Sequence, residues 1–188
     1  MSKKKILPWI TWSVITVLLV VFDQFTKFLA VEKLKDGEPF VLIDGVFEFL
    51  YVENKGVAWG AFAGKLNLFI ILTFIIIPLV IFAICRISRM IEFFGEKINV
   101  KAMKWLQFDL FVLIAGAVGN LIDRGVNGYV VDFLYFKLID FPVFNVADCY
   151  ITVAAIVLIL ISIICLKNNE LDYLTSSRKK WQVEDEGK

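Results

Sequence analysis

The sequence predicts an all-α membrane protein with four transmembrane helices, a small extracellular β-hairpin or sheet and a short flap segment. The 188 residues are 59% hydrophobic with a mean hydropathy of +0.76, which is too apolar for a soluble domain of this length. The apolar residues form four blocks, each long enough for the roughly 20 residues that cross a bilayer. Segments rich in β-branched and aromatic residues lie between the blocks, near residues 39–54 and 129–144, and predict the strands.

We expect one membrane domain over residues 1–166, followed by a polar cytoplasmic tail over residues 167–188. The first apolar block is too long for a cleaved signal peptide and no small-residue cleavage site follows it, so we expect it to remain as an anchor helix. The predicted spans are Leu7–Ala30, Leu66–Cys85, Trp105–Ile122 and Val146–Leu166.

The basic residues concentrate on the side of the membrane that holds the N-terminus. Lysines and arginines cluster at Lys3–Lys5, in the segment 86–104 and in the tail, whereas the other connecting segments are longer and carry fewer of them. The positive-inside rule therefore places both termini in the cytoplasm. Beside transmembrane helices, lysine-rich ends indicate solvated cytoplasmic segments, so we expect no nucleic-acid partner.

The first helix carries two charges in its outer half. Asp23 lies 14 residues beyond Trp9, about 21 Å along a helix that rises 1.5 Å per residue. Lys27 follows Asp23 at i, i+4 with the acid first, which is the favourable orientation for an ion pair. Two interpretations stay open: the pair locks this helix to its neighbours, or it acts directly in a site.

An outer segment over residues 39–54 reads as a β-hairpin around Asp44 and Gly45. Its many apolar side chains predict that it lies on the membrane surface or over the helices. The stretch Gly56–Gly64 follows and combines glycines with Trp59 and Phe62. It is either a turn with interfacial anchors or a mobile flap hinged at its glycines.

The third helix is predicted to end in a polar face at the outer leaflet. Asn120, Asp123 and Arg124 are spaced i, i+3 and i+4, and Asp123 lies 18 residues beyond Trp105, about 27 Å along the helix. Small residues just before this face permit close helix contact. We expect Asp109, at the other end, to be solvated near the inner interface, next to a basic cytoplasmic loop over residues 86–104.

Two more carboxylates reach the same depth from the last outer segment and the fourth helix. Asp132 is the only charge within the β-prone run Tyr129–Phe136, where aspartate is disfavoured. Asn145 and Asp148 open the fourth helix at i, i+3. For Asp148, capping of the helix and a catalytic role both remain open.

Ionisable groups beside hydrocarbon are functional candidates, and we interpret Asp132 and Asp148 as an aspartic-protease dyad. The chain contains no histidine, which excludes Ser-His-Asp triads, Cys-His dyads and histidine metal sites. Its three cysteines form no C-x-x-C pair. We therefore expect neither a metal nor a cofactor.

These motifs resemble the signature of bacterial lipoprotein signal peptidase, also called signal peptidase II. The similarity covers nearly the whole chain in order, except the tail after Leu166. It rests on five segments that together are specific: Asp23-x-x-x-Lys27, Asn54-x-Gly56-x-Ala58, Gly119-Asn120-x-x-Asp123-Arg124, Val130-x-Asp132-Phe133 and Phe144-Asn145-x-Ala147-Asp148.

The resemblance implies a membrane aspartic endopeptidase that cuts diacylglyceryl-modified prolipoproteins just before the lipidated cysteine. It implies the catalytic pair Asp132 and Asp148, membrane lipid around the substrate, and inhibition by cyclic peptide antibiotics such as globomycin. The implied substrate-binding or dyad-orienting positions are Asn54, Gly56, Asn120, Arg124 and Asn145. The implied supporting polar network consists of Asp23, Lys27 and Asp123.

Two functions from other classes compete with this interpretation. A small proton-coupled transporter would use membrane aspartates and lysines as a relay, but no polar path is expected through the inner halves of the helices. A structural membrane subunit would use the polar residues for assembly, but this leaves an aspartate within a strand unexplained.

Overall fold

The structure is a computed structural model that describes residues 3–56, 66–176 and 181–182. It is mostly helical, with one small antiparallel sheet. The helices are α1 (Lys3–Leu34), α2 (Leu66–Phe94), α3 (Val100–Val126), α4 (Val146–Leu160) and α5 (Asn168–Thr175). The strands are β1 (Phe40–Ile43), β2 (Phe47–Asn54) and β3 (Val130–Tyr135).

Four of the described helices are long and apolar enough to cross a membrane, as the sequence predicts. Helix α3 lies at the centre of the bundle. Half of its most apolar 18-residue stretch is buried, whereas the buried share of the corresponding stretch is 17% in α1 and 6% in α2 and α4. It contacts all three other spans. A polar residue on α3 can therefore meet partners from every side.

The short connection between α2 and α3 corrects the expected basic loop over residues 86–104. Helix α2 continues to Phe94, a single 3-10 turn spans Gly95–Lys97, and α3 begins at Val100. Asn99 caps α3, because its side-chain oxygen accepts a hydrogen bond from the backbone N–H of Ala102 at 3.1 Å. The helices extend because the added turns bury apolar side chains in a shared core.

Asp109 lies in α3 close to these added turns and is buried, with 6% of its surface exposed. The expectation that it is solvated was wrong, because the longer helices and the chain after α4 cover this depth. Among the described residues, its Oδ2 atom has no hydrogen-bond partner. Gln107 nearby is also buried and donates to the Ile84 carbonyl and to Ser88 Oγ.

The sheet has the order β1-β2-β3, with both pairs antiparallel. Gly45 has a φ of +68°, which suits the predicted turn between β1 and β2 because glycine adopts this conformation without steric cost. Strand β3 pairs with β2 so that Asp132 lies opposite Val52 and Val130 lies opposite Asn54. This register places the end of β2 beside the carboxylate of β3.

The chain beyond α4 folds back onto the far end of the α2–α3 pair. After a π-helical turn at Ile161–Cys165, α5 packs against α2. Tyr173 stacks on Phe94 with ring centroids 4.3 Å apart, and Trp181 is only 1% exposed. The Arg86 guanidinium lies 4.4 Å from the Trp181 ring and donates to backbone carbonyls in the last turn of α5 and at Ser176 just after it.

Replacing Trp181 with alanine should lower the melting temperature of the purified protein by about 6–20 °C, because truncating a buried tryptophan costs about 3–5 kcal/mol. Far-UV circular dichroism in detergent measures the change. The matched control is Trp105→Ala, since Trp105 is 57% exposed and its loss should leave the melting temperature nearly unchanged. Equal melting temperatures for the two variants would contradict a docked C-terminal segment.

Candidate active site

One polar cluster occupies the end of the bundle that lies against the sheet. Helix α1, helix α3, the start of α4 and strands β2 and β3 all contribute to it. The predicted side chains that meet there are Asp23, Lys27, Asn54, Asn120, Asp123, Arg124, Asp132, Asn145 and Asp148. The contacts described below show that these predicted residues lie together at one end of the bundle.

The ammonium group of Lys27 is buried within the cluster. Lys27 Nζ is 2.9 Å from Asp23 Oδ2 and 3.1 Å from Asp123 Oδ2, and it donates to Asn120 Oδ1 at 3.0 Å. Lys27 is 3% exposed and Asp23 is completely buried. A buried charge is tolerated only when it is paired and hydrogen-bonded, and here each of the three ammonium protons has an acceptor.

The two carboxylates of this ion-pair group also hold backbone segments of the site. Asp23 Oδ1 accepts the backbone N–H of Ala147 at 2.8 Å, which is one of the free donors in the first turn of α4. Asp123 Oδ2 accepts the backbone N–H of Val131 at 3.1 Å, next to Asp132 in β3. The ion pairs therefore fix the segments that carry Asp132 and Asp148.

Glycines in α3 permit this close approach of three helices. A Cβ atom on Gly119 would lie 2.5 Å from Asp23 Oδ2, and one on Gly116 would lie 2.5 Å from the Ala147 carbonyl oxygen. Real Cβ atoms do not approach this closely, so α1 and α4 can contact α3 here only because both positions are glycine. These contacts explain why the small residues of α3 cluster just before its polar end.

Helix α4 begins with a reciprocal capping box between Asn145 and Asp148. Asn145 Oδ1 accepts the backbone N–H of Asp148 at 3.0 Å, and Asp148 Oδ2 accepts the backbone N–H of Asn145 at 3.2 Å. Asp148 therefore caps the helix, which is one of the two interpretations that the sequence left open. Its other oxygen faces the site, so capping and a catalytic role are compatible.

Asn145 joins the two candidate carboxylates. Its Nδ2 atom donates to Asp132 Oδ1 at 2.6 Å and to Asn120 Oδ1 at 3.1 Å. Asn120 in turn donates from Nδ2 to Asp148 Oδ1 at 2.8 Å. Asn54 donates from Nδ2 to Asp132 Oδ2 at 2.7 Å. All four oxygen atoms of the two carboxylates thus accept an N–H group from an asparagine.

Burial sets the chemistry of Asp132. The side chain is almost completely buried, and this desolvation raises the pKa of Asp132 to about 7, with the negative charge of Asp148 acting in the same direction. Hydrogen bonds from Asn54 and Asn145 lower the pKa but do not reverse the shift. Near neutral pH, Asp132 can therefore carry a proton while a neighbouring carboxylate is ionised.

Arg124 extends from α3 beside the same carboxylates. Its guanidinium lies 5.2 Å from the Phe69 ring and donates to the Asn120 carbonyl at 3.3 Å. Arg124 is half-buried, as is Asp148, whereas Asp132 and Asn145 are buried. The open side of the cluster therefore lies toward Asp148 and Arg124.

The Asn54 amide is oriented by the start of the predicted flap. Gly56 donates its backbone N–H to Asn54 Oδ1 at 3.0 Å, so the amide NH₂ group must face Asp132. The remainder of the predicted flap over residues 56–64, including Trp59 and Phe62, falls outside the described residues. Its movement stays a prediction.

The sequence over residues 15–164 matches the family model described as signal peptidase (SPase) II. The chain belongs to the signal peptidase II family. It is 39% identical over 162 residues to the lipoprotein signal peptidase of Microcystis aeruginosa, covering 85% of this chain and 94% of that protein. It is also 39% identical over 150 residues to that of Clostridium tetani, covering 78% and 88%.

Two solved structures described as a bacterial membrane enzyme, obtained by the in meso method, share the fold. The structure at 1.9 Å resolution has a TM-score of 0.65 at 34% identity and covers 82% of this chain and 94% of its own. The structure at 2.3 Å has a TM-score of 0.64 at 34% identity, covering 81% and 86%. These likenesses confirm the fold class, and together with the family they identify a multi-pass bacterial membrane protein.

The family match ends at residue 164, so α5 and Trp181 lie beyond it. Within the described parts of the chain, no group of three histidine, cysteine, aspartate or glutamate residues is placed to hold a metal. The cysteines are free thiols.

Gln24 is a member of the cluster that sequence reasoning missed. It donates from Nε2 to Asp123 Oδ1 at 2.9 Å, to the Gly119 carbonyl at 3.1 Å and to Asp23 Oδ2 at 3.2 Å. The sequence did indicate Gln24, because it is a second polar residue directly after Asp23 within an apolar run. The direction of its side chain depends on how α1 is rotated against α3, which spacing alone does not show.

Replacing Gly119 with alanine should lower activity by about 10²-fold, since displacing catalytic groups by about 1 Å costs this much. The added methyl group must push Asp23 and α4 away from α3, and we also expect a stability loss of about 1–3 kcal/mol. Signal-peptide cleavage and thermal unfolding measure the two effects.

The matched control is Gly125→Ala in the same helix. No atom lies within 4 Å of a Cβ at Gly125, so this variant should keep its activity and stability. If Gly119→Ala behaves like this control, the close approach of α1 and α4 to α3 is not required.

Proposed function

We propose that this protein is an aspartic endopeptidase of the bacterial cytoplasmic membrane that removes the signal peptide from diacylglyceryl-modified prolipoproteins. It cuts just before the lipidated cysteine. Family membership makes it a signal peptidase, and the observation that carries the aspartic mechanism is the bridge formed by Asn145 between Asp132 and the Asp148 turn. No covalent intermediate is required.

The proposed mechanism uses one proton shared by the two carboxylates. Two neighbouring carboxylates do not both ionise cheaply, so the pair keeps a proton near neutral pH. Asp132 holds it, because its buried position raises its pKa. Asp148 is the ionised general base, and its Oδ1 and Oδ2 accept N–H groups from Asn120 and Asn145.

In the reaction, Asp148 takes a proton from a water molecule whose oxygen attacks the scissile carbonyl carbon. Asp132 donates its proton toward the substrate amide, the C–N bond breaks, and the leaving amine departs with a proton. The hydroxyl of water ends on the signal-peptide carboxyl group. The pair finishes with one proton, as it began, so repeated turnover needs no other reactant.

Substrate reaches this site from the membrane in the proposed function. Both termini lie in the cytoplasm and the cluster lies at the outer leaflet, which the distribution of lysine and arginine supports. Arg124 and Asn54 lie at the edge of the pair and are proposed to contact the substrate backbone. Membrane lipid surrounds the diacylglyceryl chains, and cyclic peptide antibiotics such as globomycin are proposed to occupy the same site.

The proton-coupled transporter alternative is not favoured. Gln107 and Asp109 are buried in the other half of the bundle, so that half is less apolar than expected. Asp109 nevertheless lies 11 residues before Asn120, about 16 Å along α3, and residues 110–119 between them are all apolar. A proton relay would need polar groups across this gap.

Replacing Asp132 or Asp148 with asparagine should reduce cleavage of a diacylglyceryl prolipoprotein by about 10²–10⁴-fold, since each change removes one acid–base group while keeping the side-chain size. The double variant should be little worse than either single variant, because groups that act as a unit are not additive. Initial rates on purified substrate in detergent measure both effects.

Asp140→Asn is the matched control, because Asp140 is exposed and contacts Tyr135 outside the cluster. It should keep the wild-type rate. A folded Asp132→Asn variant, equal to wild type in melting temperature and in cleavage rate, would move the catalytic pair elsewhere and refute the proposed mechanism.

The rate should fall as the pH rises above about 7, where Asp132 loses its proton. Its ionised form accepts a hydrogen bond from Asn54, so this bond lowers the pKa. Replacing Asn54 with alanine should therefore shift the alkaline limb of the pH–rate profile to higher pH, whatever happens to the maximal rate. Asn127→Ala, at an exposed position, is the control. An alkaline limb that stays in place in Asn54→Ala would contradict the assignment of the proton to Asp132.

A further inference from the structure

We propose that Lys27 is a positioning residue: it fixes the direction of the Asn120 amide and thereby the hydrogen bond to Asp148. This inference rests on the proposed aspartic mechanism, in which Asp148 is the general base. It goes beyond the ion pairing of Lys27, because an ion pair alone requires only a cation near Asp23 and Asp123.

The direction follows from the chemistry of an ammonium group. Lysine has three N–H donors and no acceptor, so the atom of Asn120 that lies 3.0 Å from Lys27 Nζ must be its oxygen. An asparagine amide presents an oxygen and an NH₂ group of nearly equal size, and only its partners decide which way it faces. Lys27 therefore holds the Asn120 oxygen on its own side of the amide.

The direction of the Asn120 amide determines which of its atoms contacts Asp148. With its oxygen toward Lys27, Asn120 directs its NH₂ group at Asp148 Oδ1, 2.8 Å away. The reversed amide would place an oxygen against the carboxylate oxygen, and an ionised base would then lose a donor and face a lone pair. The Asn145 NH₂ group also donates to Asn120 Oδ1, and the backbone N–H of Asp148 holds the Asn145 amide in this direction. Lys27 is the donor that comes from the ion pairs, and its ammonium has no acceptor to exchange for a donor.

A variant of Gln24 distinguishes the orienting role of Lys27 from its role in neutralising the two carboxylates. It hydrogen-bonds to the same two carboxylates, Asp23 and Asp123, and none of its described contacts reaches Asn120. Its replacement by leucine should therefore disturb the carboxylates without reversing the amide. It serves as the control for packing and hydrogen bonding around the ion pairs.

The test compares two variants of equal charge that differ in one hydrogen-bond donor. Lys27→Gln and Lys27→Met are each combined with Asp123→Asn, so that one cation and one anion are removed together and Asp23 remains. Glutamine and methionine have similar length and volume, but only glutamine can donate to Asn120. The catalytic constant, the Michaelis constant and the melting temperature are measured on the full-length protein in detergent with diacylglyceryl prolipoprotein.

We expect the methionine double variant to lose about 10²-fold in kcat, the scale of a misplaced catalytic group, with KM within about threefold of wild type. The glutamine double variant should recover at least about tenfold of that loss at a similar melting temperature. Gln24→Leu should lose less kcat than the methionine double variant, because Lys27 still donates to Asn120 in it. Asp140→Asn, outside the cluster, should keep the wild-type kcat. A split between kcat and KM is expected because Lys27 acts through Asn120 and does not touch substrate.

Equal kcat values for the glutamine and methionine variants would overturn the inference, and so would a change confined to KM. If the methionine variant does not fold, the glutamine variant decides: a rate within about tenfold of wild type supports the inference, and one about 10²-fold lower overturns it. The Asp132→Asn variant is run alongside. If Asp132→Asn retains cleavage activity, the proposed function itself is refuted. If Asp132→Asn is inactive and the two Lys27 double variants have equal kcat values, only the positioning role is refuted.

Discussion

The site depends on one buried cation held between two carboxylates. Lys27 lies among apolar helices, where an unpaired charge is costly, and its pairing with Asp23 and Asp123 offsets much of that cost. The same carboxylates accept the backbone N–H groups of Ala147 and Val131. Because each carboxylate serves both the cation and a backbone donor, the start of α4 and the start of β3 cannot shift separately from α1 and α3.

The proposed catalytic pair, Asp132 and Asp148, is positioned by these ion pairs. Asn120 and Asn145 connect the ion pairs to Asp132 and Asp148 through side-chain amides. Donors that are already in place do not need to reorganise when charge develops, which is the main advantage of a preorganised polar site. In the proposed mechanism, the amide network lets the two carboxylates lie in a poorly solvated environment while one of them stays ionised.

The sequence was sufficient for the spans and for the shared depth of the polar residues, because helix rise and the i, i+3 and i+4 spacings fix position along an axis. Rotation about the axis depends on packing, so the contact of Asp23 with Ala147 and the participation of Gln24 were not predictable. Asp109 was wrongly predicted to be solvated, because the buried turns of α2 and α3 continue past the apolar blocks. Trp181 lies in a polar segment whose few aromatic residues give no periodic signal.

The location of the cluster follows from two opposing requirements. Peptide hydrolysis needs water and an exposed substrate backbone, whereas the hydrocarbon core excludes both unpaired backbone and water. A strand end and a helix start both leave backbone donors unpaired, and Asp123 and Asp23 satisfy the donors there. Asp132 is therefore carried by a strand beside the bundle and Asp148 by the first turn of α4. The opposite end of the bundle holds an apolar core that includes Trp181.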